Sequence, residues 1–325
     1  MELLFTWRKP SASDLAECLK LHPAKMGAEV VGECRALQAW QRIFEMKHAC
    51  RGAVIEARWD DKVEIVGFGF GAFVKKSFTE AERQSPAPGM NARIVESVLN
   101  GNSVIATPEE VRDANTRGDL HQVILETSWK QGRLSPAQVD EVRILLGRAY
   151  YELFAGYRFS LILLECVDEV DLWHIQGHLR MRIADRFESW RQAHPGSAWN
   201  LDRALVEVTI DTMRKDPHSI AAEIFSHGPA PQIGFTLGEQ ELLEVALQGL
   251  DDAEASKVLF VTVPAIKRRW AGIFERVSDA RPDLCPRESG TTRGIQKRQR
   301  VLAYIRQHPQ ELRPFNFNGG HAKRK

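Results

Sequence analysis

A change of rhythm near Gly228-Pro-Ala-Pro231 limits the folds open to this chain. Before it, strand-like runs alternate with helix-period segments; from Thr236 onward every predicted element is a helix. Such a chain folds as two bodies, one mixed and one all-helical, and 325 residues suffice for two cores. The predicted class is therefore α+β multidomain: an α/β N-terminal domain with a mixed sheet, then an all-α C-terminal domain.

The N-terminal elements follow from local signals. Leu3–Trp7 reads as a strand, and Ser11-Ala-Ser-Asp14 opens a helix through Leu21 in the manner of a capping box. Helix covers much of Val30–Lys47. Ala53–Arg58 and Val63–Val74, split by Asp60-Asp61, predict an antiparallel hairpin, and Val123–Trp129 predicts another strand. Ser135-Pro136 starts a long helix that stops before Gly156, a left-handed cap. Phe159–Leu164 is a strand, Val167–Gln176 a short helix ending at Gly177, and His178–Ile183 and Ala204–Thr209 are strands. Asp216–His227 is helical and leads into the boundary.

Charge is partitioned in the same way. The net value is only +1, yet from Pro231 onward there are 16 Lys/Arg against 11 Asp/Glu, and from Pro264 onward 15 against 5. An acidic-to-neutral domain joined to one that binds a polyanion gives this asymmetry, as does a solvated basic tail. The five cysteines, Cys18, Cys34, Cys50, Cys166 and Cys285, are odd in number and widely spaced, which predicts reduced thiols and no zinc site. Neither a bilayer-length apolar run nor a signal-peptide pattern is present, so the expected location is the cytoplasm, with no membrane partner.

In the C-terminal part, Glu239–Leu250 sets Leu242, Leu243, Ala246, Leu247 and Leu250 on one stripe. Asp251/Asp252 cap a second helix, Ala253–Leu259, and Phe260-Val261 supply the turn. Thr262 caps a third helix, Val263–Val277, with Pro264 in its first turn. Ile266, Trp270, Ile273, Phe274 and Val277 share its inner side, which turns Arg268 outward with Ala265 and Gly272 nearby and Lys267 and Arg269 on the flanks. Long donors on a bulk-free helix end are what reading guanine edges or phosphates in a major groove requires. A lone Lys-Arg-Arg cluster would more often be an exposed basic turn on a helical bundle.

The cluster is not alone. Phe235-Thr236, Glu239 and Glu241 before Leu243, Gly249 with its acidic cap, Glu254, Leu259, Thr262 and Ile266-Lys267 together resemble the LuxR-type helix-turn-helix family over about 43 residues. Departures are Asp252, Ala253, Ala255, Pro264 and Arg269. The resemblance implies a transcription regulator that binds double-stranded DNA as a homodimer. Lys267, Arg268 and Ala265 would contact base edges, and Thr262, Lys257, Arg269 and Arg276 would lie nearer the backbone. Arg293–His308 is a basic amphipathic helix with Val301, Leu302 and Ile305 on one side. Its first role is packing; it could also pair subunits or lay Arg298 and Arg300 along phosphates.

The N-terminal order of elements resembles the GNAT acyltransferase fold, over roughly residues 1–210, and the combination resembles LuxR-type regulators with a GNAT-like domain. An active GNAT enzyme needs a glycine-rich phosphate cradle before the long helix. Here that turn, Lys130 to Pro136, has only Gly132, and Pro136 removes a donor. The expectation is a domain that senses a small effector or serves as scaffold, with no cofactor, on a chain that is not an enzyme. The alternative is an N-acetyltransferase using acetyl-CoA. Gly67-Phe-Gly-Phe-Gly71 lies within a strand and predicts close packing on one sheet face. His174 and His178 have a metal-pair spacing that Gly177 interrupts, and Glu126, Glu165 and Asp168 are weak acid/base candidates. The expected division is 1–210, a helical linker 211–233, the helix-turn-helix 234–278, an amphipathic helix within 279–313, and a disordered tail 314–325.

Overall fold

The computed structural model describes residues 4–22, 26–59, 62–130, 132–167, 172, 175–176, 181–197, 203–216, 220–285 and 294–317. The chain is α+β and divides into two compact units. Unit 1 comprises Met1–Phe154 and Arg158–Ser226; unit 2 comprises Ala155–Tyr157 and His227–Lys325. His174, His178 and Asp168 lie outside the described residues. No described helix is long and apolar enough to cross a membrane.

Unit 1 is built on a seven-stranded mixed sheet in the order β1-β2-β3-β4-β5-β7-β6. Its strands are β1 (Leu4–Arg8), β2 (Cys50–Trp59), β3 (Lys62–Phe73), β4 (Leu120–Trp129), β5 (Phe159–Cys166), β6 (Arg182–Asp185) and β7 (Ala204–Thr209). All neighbours are antiparallel except β4 and β5, whose parallel pairing is made possible by the crossover helix between them, α7 (Pro136–Phe154).

The Gly-Phe-Gly-Phe-Gly run of β3 shows why period 2 matters. Phe68 and Phe70 point to one face, where Phe70 meets Trp40 and Phe44 of α3 (Glu33–Glu45). Gly67, Gly69 and Gly71 point to the other face, where α7 lies. A Cβ on Gly67 would stand 2.8 Å from Val142 Cγ1, and one on Gly71 would stand 3.0 Å from Phe154 Cζ. The stripe is therefore a packing surface for α7, as its position within a strand implies. Each fully buried aromatic on the α3 side contributes about 1.5–3 kcal/mol of burial.

Around this sheet run α1 (Leu15–Leu21), α2 (Ala28–Val31), α4 (Lys76–Gln84), α5 (Met90–Leu99), α6 (Pro108–Arg117), α8 (Glu188–Ala193), α9 (Ile210–Lys215) and α10 (Ile220–Ile224). The helices α4 to α6 between β3 and β4 have no counterpart in the element order expected from the sequence. Within the helical stretch expected over 216–227 lies Ile220–Ile224, and a separate short helix not expected from the sequence begins at Ile210, directly after β7, where Thr209 and Thr212 form a reciprocal cap.

Unit 2 holds α11 (Leu237–Leu247), α12 (Asp252–Val258), α13 (Val263–Ala280) and α14 (Gly294–Gln307), followed by a 3-10 turn at Pro309–Leu312. Their shared core is Leu242, Leu243, Ala246, Ala255, Ile266, Trp270, Ile273 and Val277, closed by Val301, Tyr304 and Ile305 of α14. Buried Glu311 accepts from the Gln232 and Ile233 amides and from the Tyr304 hydroxyl, fixing the entry to the bundle. Burial, with Glu311 beside it, pushes the Tyr304 hydroxyl up to about 12, so it remains a donor.

Candidate nucleic-acid interface

Three side-chain caps set the helix starts in unit 2. Thr236 and Glu239 form a reciprocal box at α11, Asp251 accepts from Ala253 and Glu254 at α12, and Thr262 Oγ1 accepts from Ala265 at α13. Between α12 and α13 the chain turns through Leu259–Val261. The Val261 amide donates to Ser256 and the Phe260 amide to Lys257, so α12 ends in a Schellman turn. A short helix, a tight turn and a long helix with a buried stripe together present the outer side of α13 to solvent.

The cations on and near α13 separate into two groups. Lys257, Lys267 and Arg268 are exposed, and none has an ion pair or hydrogen bond among the described residues. Arg269 and Arg276, expected nearer a DNA backbone, make bonds within the bundle. Arg269 donates to the Gly238 carbonyl at 3.0 Å and pairs with Glu241 at 3.6 Å. Arg276 pairs with buried Glu239 at 3.0 Å and reaches the Gly234 carbonyl. Both tie α13 to the start of α11.

Glycines make room for these ties. A Cβ on Gly238 would stand 3.1 Å from Arg269 Cζ, and one on Gly272 would stand 2.7 Å from Glu239 Oε1. Gly272 thus faces α11 and does not belong to a bulk-free outer face. Ala265 is half-buried and Thr262 exposed. Arg298 of α14 pairs with Asp252 at 2.9 Å and lies over the Trp270 ring at 4.3 Å, so it packs the bundle, whereas Arg300 is exposed.

In unit 1 the polar candidates are largely structural. β4 and β5 pair as far as Ile124 and Leu164 and then part, and β4 carries a register irregularity against β3 at the same level. The next residue of each strand bonds the start of α5. The Leu125 carbonyl accepts from the Asn91 amide, and the Glu165 carboxylate accepts from the Gly89 and Met90 amides at 2.8 and 2.7 Å. Arg203 holds Glu165 from the other side at 3.0 Å. Glu165 is thus an anchor in the fork, while buried Glu126 accepts from the Thr127 amide. At the turn before α7, Gly132 is left-handed and Ser135 and Gln138 cap each other. Cys18, Cys50, Cys166 and Cys285 are buried and Cys34 is exposed, all free. No group of His, Cys, Asp and Glu among the described residues can hold a metal ion.

No family model matches the chain, and no curated protein matches it. Among solved structures it is similar to the C-terminal condensation domain of Ebony in complex with beta-alanyl-dopamine. That likeness has 10% identity and a TM-score of 0.34, and it covers 64% of this chain and 100% of that one. The match is to a condensation domain, and the expectation that the chain is not an enzyme is withdrawn. A superposition that loose carries no argument about what this chain does.

What the sequence missed is the split among the cations. Arg269, Arg276, Arg268 and Lys267 are alike in composition, and only their neighbours distinguish a brace from a free donor. One signal was available: Glu239 and Glu241 at the start of α11 are acidic residues near a helix N-terminus. Asn91 and the fork in unit 1 had no sequence signal at all.

Proposed function

We propose that the chain is a DNA-binding transcription regulator of the LuxR type, with α13 docking in the major groove and unit 1 as a GNAT-like sensing or scaffolding domain. The observation that carries this reading is the pair Lys267 and Arg268, exposed and unpartnered among the described residues on a helix whose other face is locked into a core. Buried apolar contacts hold the helix rigid, so the donors need no reorganisation to meet a duplex. Exposed Lys257 at the end of α12 adds a cation of the kind phosphates accept. Because such domains read paired half-sites, the proposal includes a homodimer.

The test uses the full chain and a duplex enriched by it from a random pool. Lys267→Ala with Arg268→Ala abolishes specific binding while helix content stays the same; unchanged affinity in the double variant overturns the docking face. Each phosphate that is no longer neutralised also lowers the slope of log affinity against log salt by about one.

A second reading, an N-acetyltransferase, is favoured by one observation: the parallel β4–β5 pair that parts within an otherwise antiparallel sheet. In this chain the start of α5 is bonded across that fork. Calorimetric titration with acetyl-CoA separates the readings, since saturable binding with acetyl transfer supports the enzyme.

A further inference from the structure

The most exposed large apolar side chain described in the protein is Phe260, 93% accessible, between α12 and α13. It is also one of only two non-glycine residues with positive φ among those described, at +52°. Its position explains the backbone: Phe260 is the residue just past the end of α12, where the Schellman turn requires a left-handed conformation. Glycine or asparagine meets that requirement with little strain, and α11 uses Gly249, at φ +87°, in the corresponding place. At Phe260 the chain instead accepts a strained backbone and an unburied phenyl ring, with no return inside unit 2.

The surroundings say what the ring meets. Phe260 stands two residues before Thr262, the cap of α13, and Arg268 lies about 9 Å further along that helix by its rise per residue. Lys257, Lys267 and Arg268 are exposed around this end, as is Val258. An apolar projection on a surface that also carries exposed cations suits a partner that is polyanionic with apolar edges between its charges. Duplex DNA has that character, with deoxyribose faces between phosphates.

We infer that Phe260 is a DNA-contacting residue whose ring packs on deoxyribose at the groove wall while α13 enters the groove. The inference rests on the DNA-binding reading above. It assigns to the turn an apolar, charge-independent share of affinity that the basic residues do not supply.

The test is Phe260→Asn in the full chain, with the enriched duplex as probe. Asparagine tolerates the left-handed turn, so the thermal midpoint is expected to hold or rise. Affinity is expected to fall about tenfold or more, as loss of a buried phenyl ring implies. The slope of log affinity against log salt stays unchanged, whereas Lys257→Ala, which removes a phosphate contact, lowers it by about one. Phe260→Tyr keeps the ring and keeps the affinity.

If Phe260→Asn binds as tightly as the parent while the Lys267/Arg268 double variant fails, the inference falls and the docking reading stands. If the parent chain shows no salt-dependent DNA binding, both fall. If Phe260→Asn lowers the sedimentation mass of the free protein, the ring's partner is a second copy and the inference is overturned.

Discussion

Replacing Gly272 by alanine sets two physical effects against each other within one helix. Glycine inside a helix costs about 1 kcal/mol relative to alanine, so propensity alone predicts that Gly272→Ala stabilises α13 by that amount. The new Cβ, however, would stand 2.7 Å from Glu239 Oε1, and that carboxylate is buried. Displacing it breaks the bond to the Thr236 amide, a capping interaction of about 1 kcal/mol. It also disturbs the pair with Arg276, whose side chain is 44% exposed; screening limits that share to about 0–1 kcal/mol. A buried carboxylate left poorly bonded costs a further 1–3 kcal/mol or so. The loss is then about 2–5 kcal/mol against a gain of about 1, and the expected net is destabilisation by roughly 1–4 kcal/mol. Gly147 in α7 is the control, because a Cβ there meets nothing within 4 Å. Gly147→Ala is expected to stabilise unit 1 by about 1 kcal/mol. Native-state hydrogen exchange on the full chain reads α11 with α13 and α7 separately. Equal slowing of exchange in both variants would refute the packing argument and leave propensity as the explanation.

Three further outcomes rest on other parts of the fold. Gly67→Val places branched bulk where Val142 already sits, and overpacking of about 1–3 kcal/mol should lower the urea midpoint of unit 1 despite valine's strand preference; an unchanged midpoint would mean that α7 floats on the sheet. Glu311→Ala strips the acceptor from two backbone amides and the Tyr304 hydroxyl, and should destabilise unit 2 by about 2–5 kcal/mol, with Glu311→Gln costing less. The hydrogen bond from Arg8, followed by burial acting in the opposite sense, leaves the Asp14 carboxyl at about 2, below its ordinary 3.8. A depressed carboxyl stabilises fully above its unfolded value and less as pH falls toward the folded one. The stability gap between the parent and Asp14→Asn should therefore be constant above about pH 4 and shrink toward pH 2 in acid titrations followed by circular dichroism; a gap independent of pH would remove the Arg8–Asp14 pair from the account.

Local sequence carries the parts of this protein whose cause is local. Period-2 alternation places the strands of the hairpin and the strands beside it, and the caps Thr262 and Asp251 fix helix starts because the hydroxyl and carboxylate that stop fraying sit within three residues of the amides they bond. The helix α6 is equally legible in Thr107-Pro108-Glu109-Glu110 and Gly118, local signals that the expected element order omits. By contrast, α5 begins at a left-handed Gly89 whose amide is held by Glu165, 76 positions away, and no window of sequence contains both.

The same distinction divides the candidate site. Amphipathic spacing and caps already specify a trihelical unit with a basic outer edge, since they require nothing beyond neighbours in the chain. Which cations are free is settled only by packing, because a guanidinium is committed or available according to what another helix brings within 3 Å, as Gly238 and Glu239 of α11 do for Arg269 and Arg276.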